Sequence, residues 1–389
     1  MHRSILLILF LMAACASPSR PERPIDELFA ARGAANAARA SAADALLDGL
    51  LQRARAKAQA AKPGEPPATI DLLVISGGGD WGAFGAGVLK GWGGVNGDMA
   101  RPQFDVVTGV STGAMIAPFA FIGDDESIER IVQLYRHPQP DWVKSRGLVF
   151  FLPNNPSFYA LPGLEREMRA KLDQPMLERI VAQGKSGRSL LVNTTNIDLG
   201  EMHAWDITAE AQAAIASHNE ERVYSILLAS AGIPAVFPAR SIYGYLYVDG
   251  AITGNILYGG RVREGESLPA RWRAAYPGSP MPRLRFWVIF NNQIRFPPQI
   301  TQERWPAIMT RATIMATQTS TVNSMRHLFA QAELDRLKYG ATIEVRVMAV
   351  PDSFVPVHPE SFNPEVMNTL ADLGEKMGAD PASWRTEAP

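Results

Sequence analysis

Gly109-Val110-Ser111-Thr112-Gly113 sets a serine between two glycines where one short apolar stretch, Phe104 to Val107, gives way to another, Met115 to Phe121. If the first is a strand and the second a helix, the pentapeptide is a nucleophile elbow. Glycines admit a turn too sharp for side chains, and the serine is left at its apex with the hydroxyl projecting from the sheet edge. The same five residues also suit a plain Gly-rich turn, so the chemistry depends on what else the chain supplies. An acyl-transfer serine needs a base and a set of donors aimed at the developing oxyanion.

Gly77-Gly78-Gly79-Asp80-Trp81-Gly82 follows a compact apolar run, Ile70 to Ser76, and opens a helix expected to end near Trp92. Gly77 to Gly82 formally satisfies G-x-G-x-x-G, the pyrophosphate loop of dinucleotide-binding domains. Such a domain wants an acidic residue ending a second strand about 20 residues on. Asp98 stands near that distance, but in the turn-forming stretch VNGDMARP. Three consecutive glycines also direct successive N–H groups at negative charge beside a helix N-terminus, which is the geometry of an oxyanion hole. With Ser111 downstream, the oxyanion assignment is preferred.

Asp249 follows the apolar run Leu246 to Val248 and precedes Gly250-Ala251, so a carboxylate would be held at a strand end on a tight turn. An Asp-Gly pair is by itself also an ordinary turn. The six histidines, His2, His137, His203, His218, His327 and His358, lie outside any segment with the marks of a catalytic loop. A Ser-His-Asp triad is therefore unsupported by the sequence.

Taken in order, these pieces resemble the patatin-like phospholipase family: a Gly-rich loop after the first strand, G-x-S-x-G, and a downstream Asp-Gly-Ala. Ala229-Ser230-Ala231-Gly232-Ile233-Pro234-Ala235-Val236-Phe237-Pro238 is similar to the family's segment before the aspartate strand. The resemblance runs from about Ile70 to Val262 and is looser after Arg263. It implies an α/β three-layer sandwich with a central, mostly parallel sheet flanked by helices. It also implies a Ser-Asp dyad: Ser111 attacks an ester carbonyl, and Asp249 takes the proton and returns it to the leaving group. Gly77, Gly78 and Gly79 would hold the oxyanion, with Gly82, Gly109, Gly113 and Gly250 completing the motifs. Neither metal nor organic cofactor is implied. One position departs from the family, which usually carries Arg or Lys where this chain has Trp81; the N–H survives there, the positive charge does not. The expected function is a serine hydrolase acting on acyl esters of phospholipids or lysophospholipids. Its alternatives are a short-chain carboxylesterase and a non-catalytic, lipid-binding envelope lipoprotein.

Met1 to Ala14 has the form of a secretory signal, with Arg3, an apolar run from Ile5 to Met12, then Ala13 and Ala14. It is too short to span a bilayer. Cys15 is the only cysteine, which excludes an intramolecular disulfide and leaves the thiol for another use. Leu11-Met12-Ala13-Ala14-Cys15 resembles the lipobox of bacterial lipoproteins. That implies cleavage before Cys15, a lipid on its thiol, and a place in the bacterial cell envelope, at the outer membrane given Ala16. Expected partners are a lipid or acyl-ester substrate and a membrane surface. Lys and Arg number 38 against 39 Asp and Glu, so bulk charge gives no attraction to nucleic acid.

The 389 residues suffice for one large α/β domain. We divide them into a signal (1–14), a tether with N-terminal helices (15–69), the catalytic domain (70–265) and C-terminal strands and helices completing it (266–389). Ser17 to Pro24 suits an extended tether. Ile25 to Ala61 carries Leu28, Phe29, Leu46, Leu47, Leu50 and Leu51 at helical spacing, predicting one or two helices before the breaker Lys62 to Ala68. Further helices are expected over Glu126 to Tyr135, Leu164 to Val181, Arg222 to Ser230 and about Gln302 to Tyr339. Ser189 to Ile197 and Glu201 to Ile207 form a hairpin around Asp198-Leu199-Gly200, and Tyr245 to Asp249, Leu284 to Asn291 and Ile343 to Val350 are strands. Arg136 to Ser157, irregular and rich in proline and aromatics, is expected to be a lid. Alternating strands and helices predict a layered α/β fold.

Overall fold

The apolar run Thr69–Ile75 forms strand β1, and its side chains divide between two separate cores: Leu73 and Ile75 enter one, Ile70 and Val74 the other. Both faces are covered, so the strand reads as a nearly continuous apolar run. The computed structural model describes residues 20–61, 67–147, 157–259, 265–358 and 360–389. The expected signal, Cys15 and much of the expected Lys62 to Ala68 breaker lie outside these residues.

Along the chain come α1 (Ile25–Ala60), β1, α2 (Gly82–Trp92), β2 (Val106–Val110), α3 (Thr112–Ile122) and α4 (Asp125–Arg136). The short strands β3 (Lys144–Ser145) and β4 (Tyr159–Ala160) precede α5 (Pro162–Lys171), α6 (Gln174–Lys185), β5 (Ser189–Asn196) and β6 (Glu201–Asp206). Then follow α7 (Ile207–Ser217), α8 (Glu221–Ser230), β7 (Arg240–Ile242), β8 (Tyr245–Asp249) and α9 (Leu268–Ala275). The chain closes with β9 (Arg283–Gln293), α10 (Trp305–Tyr339), β10 (Ile343–Val350) and α11 (Pro364–Gly378).

The main sheet has eight strands, ordered β10-β9-β1-β2-β5-β8-β7, with β6 also on β5. Pairings from β10 through β5 are parallel, and those of β6, β7 and β8 are antiparallel. Helices α2 to α8 and α11 bury their apolar faces on one side, and α1, α9 and α10 on the other. The architecture is thus the expected three-layer α/β sandwich with a mostly parallel centre.

One detail of register builds the site. Strand β6 pairs with β5 over Leu191 to Asn196, which occupies one edge of β5. Strands β2 and β8 share the other edge end to end: Val110 sits opposite Asn193, and Asp249 opposite the next residue, Thr194. The last residue of β8 therefore meets the first residue beyond β2, which is Ser111.

Two local expectations change. The strand leading to the elbow is Val106–Val110 instead of Phe104 to Val107, and it runs up to Ser111 without a gap. Ladder pairing with β1 begins at Val106; before it, the Asp105 N–H still donates to the Asp71 carbonyl at 2.8 Å, while its side chain accepts the Asp71 N–H at 2.8 Å and Lys57 Nζ at 2.8 Å. The helix expected over Leu164 to Val181 is two helices, α5 and α6. Asp173 ends the run by capping α6 through the Met176 N–H at 3.1 Å, and Pro175, in the first turn of α6, cannot continue a preceding helix. The N-terminal segment is one helix, α1, whose Leu50 and Ala54 are buried. As for the lid, residues 148–156 fall outside the described ones, and the described flank contributes Trp142, buried at the site's wall.

Candidate active site

Ser111 has φ 55° and ψ −124°, a left-handed conformation that a residue with a side chain adopts at a cost of about 1–3 kcal/mol. Its surroundings enforce it. The Ser111 N–H donates to Ser230 Oγ at 2.9 Å, and that hydroxyl donates in turn to the Asn193 carbonyl at 2.7 Å. The start of α3 presses on the ends of β2 and β1. A Cβ on Gly109 would lie 2.3 Å from the Gly113 carbonyl oxygen, and a Cβ on Gly113 would lie 2.3 Å from that of Ile75. Both glycines of G-x-S-x-G are thus required by close backbone approach.

Asp249 is buried beside Ser111, whose hydroxyl favours the ionised form of its carboxyl. Its Oδ1 also accepts the Ala251 N–H at 2.8 Å, so the turn after β8 fixes the carboxylate's orientation. Gly250 is needed there because a Cβ would lie 2.3 Å from the Asn193 carbonyl oxygen. Burial pushes the Asp249 carboxyl up to about 7, against the opposing pull of the Ala251 N–H and the nearby Ser111 hydroxyl. A carboxylate with that affinity can both take and release a proton near neutral pH.

The three glycines divide their work. Gly77 lies against Ser111, where a Cβ would come within 2.8 Å of the serine Cβ, but its N–H donates to Asn255 Oδ1 at 2.8 Å. Of the three donors expected from sequence, this one is already engaged. Among the described residues, the N–H groups of Gly78 and Gly79 have no acceptor. Gly78 is held against β9, with room for no Cβ within 2.1 Å of the Asn291 carbonyl oxygen, and Gly79 takes φ 62° and lines the cavity beside Ser111. Gly82 lets α2 pack on α3, since a Cβ would sit 2.1 Å from Thr112 Oγ1.

Asp80 is buried, its carboxyl raised by desolvation and held by the Phe362 N–H at 2.8 Å. Trp81, at the position where the family carries a base, packs its ring edge-on to Phe354 at 5.4 Å between centroids and does not line the cavity. That cavity, about 440 Å³ with its open mouth, is lined by Ser111, Thr112 and Gly79 together with the apolar side chains of Met115, Leu134, Leu161, Leu164 and Phe237. Two of its few hydroxyls, those of Thr112 and Tyr135, hydrogen-bond each other, which leaves Ser111 facing an apolar space.

Residues 73–259 match the family model for patatin-like phospholipase. This segment is a patatin-like phospholipase domain. It extends from within β1 to just past the Asp249 turn and supports a lipid acyl hydrolase at the level of the family. The crystal structure of VipD from Legionella pneumophila is similar over 82% of this chain and 68% of that one, with 12% sequence identity and a TM-score of 0.40. No curated protein matches the chain.

Within the patatin-like domain no described histidine approaches the dyad. His203 lies on β6, across β5 from Asp249, with its ring on Trp205 at 4.2 Å. His327 bonds the Tyr258 hydroxyl, and His358 pairs with Glu365. Asp98 pairs with Arg283 at the start of β9, at the opposite edge of the sheet from Gly77 to Gly82, so it is no partner for a dinucleotide. Four polar residues outside the expected site set hold the site: Asn193, Ser230, Asn255 and Asn291. Asn291 Nδ2 donates to the Ser76 carbonyl at 2.8 Å, and Asn193 Nδ2 to those of Gly250 and Gly254 at 3.0 and 2.8 Å. Ser230 alone carried a signal, as part of the segment preceding the aspartate strand. That segment touches both halves of the dyad, because the Asp249 N–H donates to the Gly232 carbonyl at 3.0 Å.

Proposed function

We propose that this protein is a serine hydrolase that cleaves acyl esters of phospholipids or lysophospholipids through Ser111 and Asp249. The observation that carries this is the register that brings the end of β8 to the end of β2, setting Ser111, which lines an apolar cavity, beside the buried Asp249 carboxyl raised to about 7. Ser111 Oγ attacks the ester carbonyl carbon while its proton passes to Asp249. The tetrahedral oxyanion takes the N–H groups of Gly78 and Gly79, each donor contributing on the order of 2.7–4 kcal/mol in the transition state. Collapse returns the proton to the leaving alcohol oxygen and leaves the acyl group on Ser111. Water then attacks with Asp249 again as base, releasing the fatty acid.

Hydrolysis of p-nitrophenyl esters of increasing acyl length tests this. An apolar cavity gains about 0.8 kcal/mol per buried CH₂, so kcat/KM is expected to rise about fourfold per added CH₂ until the cavity is full, and phosphatidylglycerol vesicles are expected to release fatty acid. A profile highest at acetate or butyrate would mark a short-chain carboxylesterase. Silence on all esters and on vesicles would sink the enzyme in favour of a lipid-binding protein.

We also propose that Cys15 carries a lipid and tethers the protein in the bacterial cell envelope, at the outer membrane, on the strength of the Leu11 to Cys15 pattern. Cys15→Ser is expected to move the protein from the membrane fraction to the soluble periplasmic one. Full retention on the membrane would rule out lipidation as the attachment.

A further inference from the structure

The five parallel strands all end at one edge of the sheet, at Ile75, Val110, Asn196, Gln293 and Val350, and Ser111 sits at the middle of that edge. Helix α10 returns from the end of β9 to the start of β10, so its first turns lie at this edge too. Its 35 residues span about 52 Å at 1.5 Å each, whereas the 11 residues of β9 span only about 36 Å. The excess projects. No residue of α10 before Gln318 is buried.

This overhang is apolar. Trp305 is 75%, Ile308 51% and Met309 59% exposed, and the approach to it carries Ile300 at 98%. Val355 and Val357, at 78% and 63%, stand on the neighbouring loop. Gln318 Nε2 donates to the Gln293 carbonyl at 2.7 Å, and Gln293 Nε2 holds the Phe354 carbonyl at 2.7 Å. Phe354 packs on Trp81, next to the oxyanion glycines, so the overhang is tied by direct contacts to the catalytic loop.

The opposite end of the same edge receives the start of the described chain. Arg20 forms a two-pronged pair with Asp198 in the β5–β6 turn, at 2.8 and 2.7 Å, and Arg23 donates to the Tyr245 hydroxyl at 2.9 Å. Cys15 lies five residues before Arg20, a reach of at most about 18 Å. Ile25, Phe29 and Tyr243 are exposed around this landing point.

We propose that this edge faces a lipid bilayer, with the α10 overhang as a second, non-covalent contact that enters the interfacial region and places the cavity mouth over the lipid. The occupant is a bilayer and not a second copy of the chain because of where and how the overhang is charged. Residues 294–317 carry Arg295, Arg304 and Arg311 against Glu303 alone, an excess that favours an anionic surface at about 1 kcal/mol per basic residue. Trp305 has the amphipathic ring that collects at headgroup depth. The inference rests on the hydrolase and the Cys15 lipid proposed above.

Both can be separated from it in one experiment. In the full chain carrying Cys15→Ser, Met309→Cys and, separately, Lys185→Cys at the opposite edge are labelled with an environment-sensitive fluorophore and mixed with phosphatidylglycerol vesicles. The label at 309 is expected to shift to the blue and the label at 185 to stay unchanged. An unshifted 309 label on vesicle-bound protein overturns the proposal, as does a shift produced by raising protein concentration without vesicles, which would mark self-association. In parallel, Trp305→Glu with Ile308→Glu is expected to lower vesicle hydrolysis about tenfold or more while hydrolysis of soluble p-nitrophenyl butyrate stays within about twofold. An equal fall on both substrates also overturns it. If the unsubstituted protein cleaves neither substrate, the hydrolase proposal fails while the 309 label still decides membrane contact.

Discussion

Ser111→Ala is expected to reduce ester hydrolysis by about 10³-fold or more, toward background, and Asp249→Asn by a comparable factor. Both substitutions remove one function and little structure. Alanine at 111 keeps the N–H that donates to Ser230 Oγ, and with it the elbow. Asparagine at 249 keeps an oxygen for the Ala251 N–H and nearly the same volume, but its amide cannot accept a proton from the serine. Because Ser111 and Asp249 act as a unit, the double variant should fall no further than either single one. Initial rates on a long-chain p-nitrophenyl ester, with circular dichroism as a control for folding, measure this. Substantial turnover by Asp249→Asn would mean that the base is another group, and the dyad would be wrong.

The parts of the site that could be read from sequence are those where backbone geometry allows only one residue type. Gly109, Gly113 and Gly250 meet carbonyl oxygens at distances no Cβ tolerates, so their chemical necessity is written as a short motif. Asp249 was visible for a similar reason, as a carboxylate on a turn its own side chain caps. Asn193, Asn255 and Asn291 were invisible: each acts through an amide contacting backbone distant in the chain, and an asparagine in such a stretch reads as a turn or strand-end residue. The engagement of the Gly77 N–H followed from one of these, Asn255, 178 positions away. The same limit applies to the fold. Strand and helix alternation gave the layers, but the end-to-end meeting of β2 and β8 on β5 depends on pairing between segments far apart in sequence. The single helix expected over Leu164 to Val181 failed locally, where the capping by Asp173 outweighed the apolar period.

The proton affinity of Asp249 ties activity and stability to pH in opposite directions. Its folded-state value of about 7 lies above its ordinary 3.8, and burial is the main cause. As a base it must be ionised, so kcat/KM is expected to rise about tenfold per pH unit below 7 and to level off above it. For stability the sign reverses. Between 3.8 and about 7 the folded protein holds the proton that the unfolded chain has released, so stability falls as pH rises through that window, and the full penalty is present above it. At about 1.4 kcal/mol per pH unit, the gap bounds that penalty at roughly 4 kcal/mol. Asp249→Asn removes the titration. Its melting temperature is therefore expected to match that of the unsubstituted protein near pH 4, to exceed it increasingly toward pH 7, and to hold a constant lead above. Melting curves at closely spaced pH values test this, and parallel curves for the two proteins would show that the Asp249 carboxyl is not raised. In that case the pH profile of hydrolysis should also lose its inflection near 7, because one buried carboxylate is responsible for both.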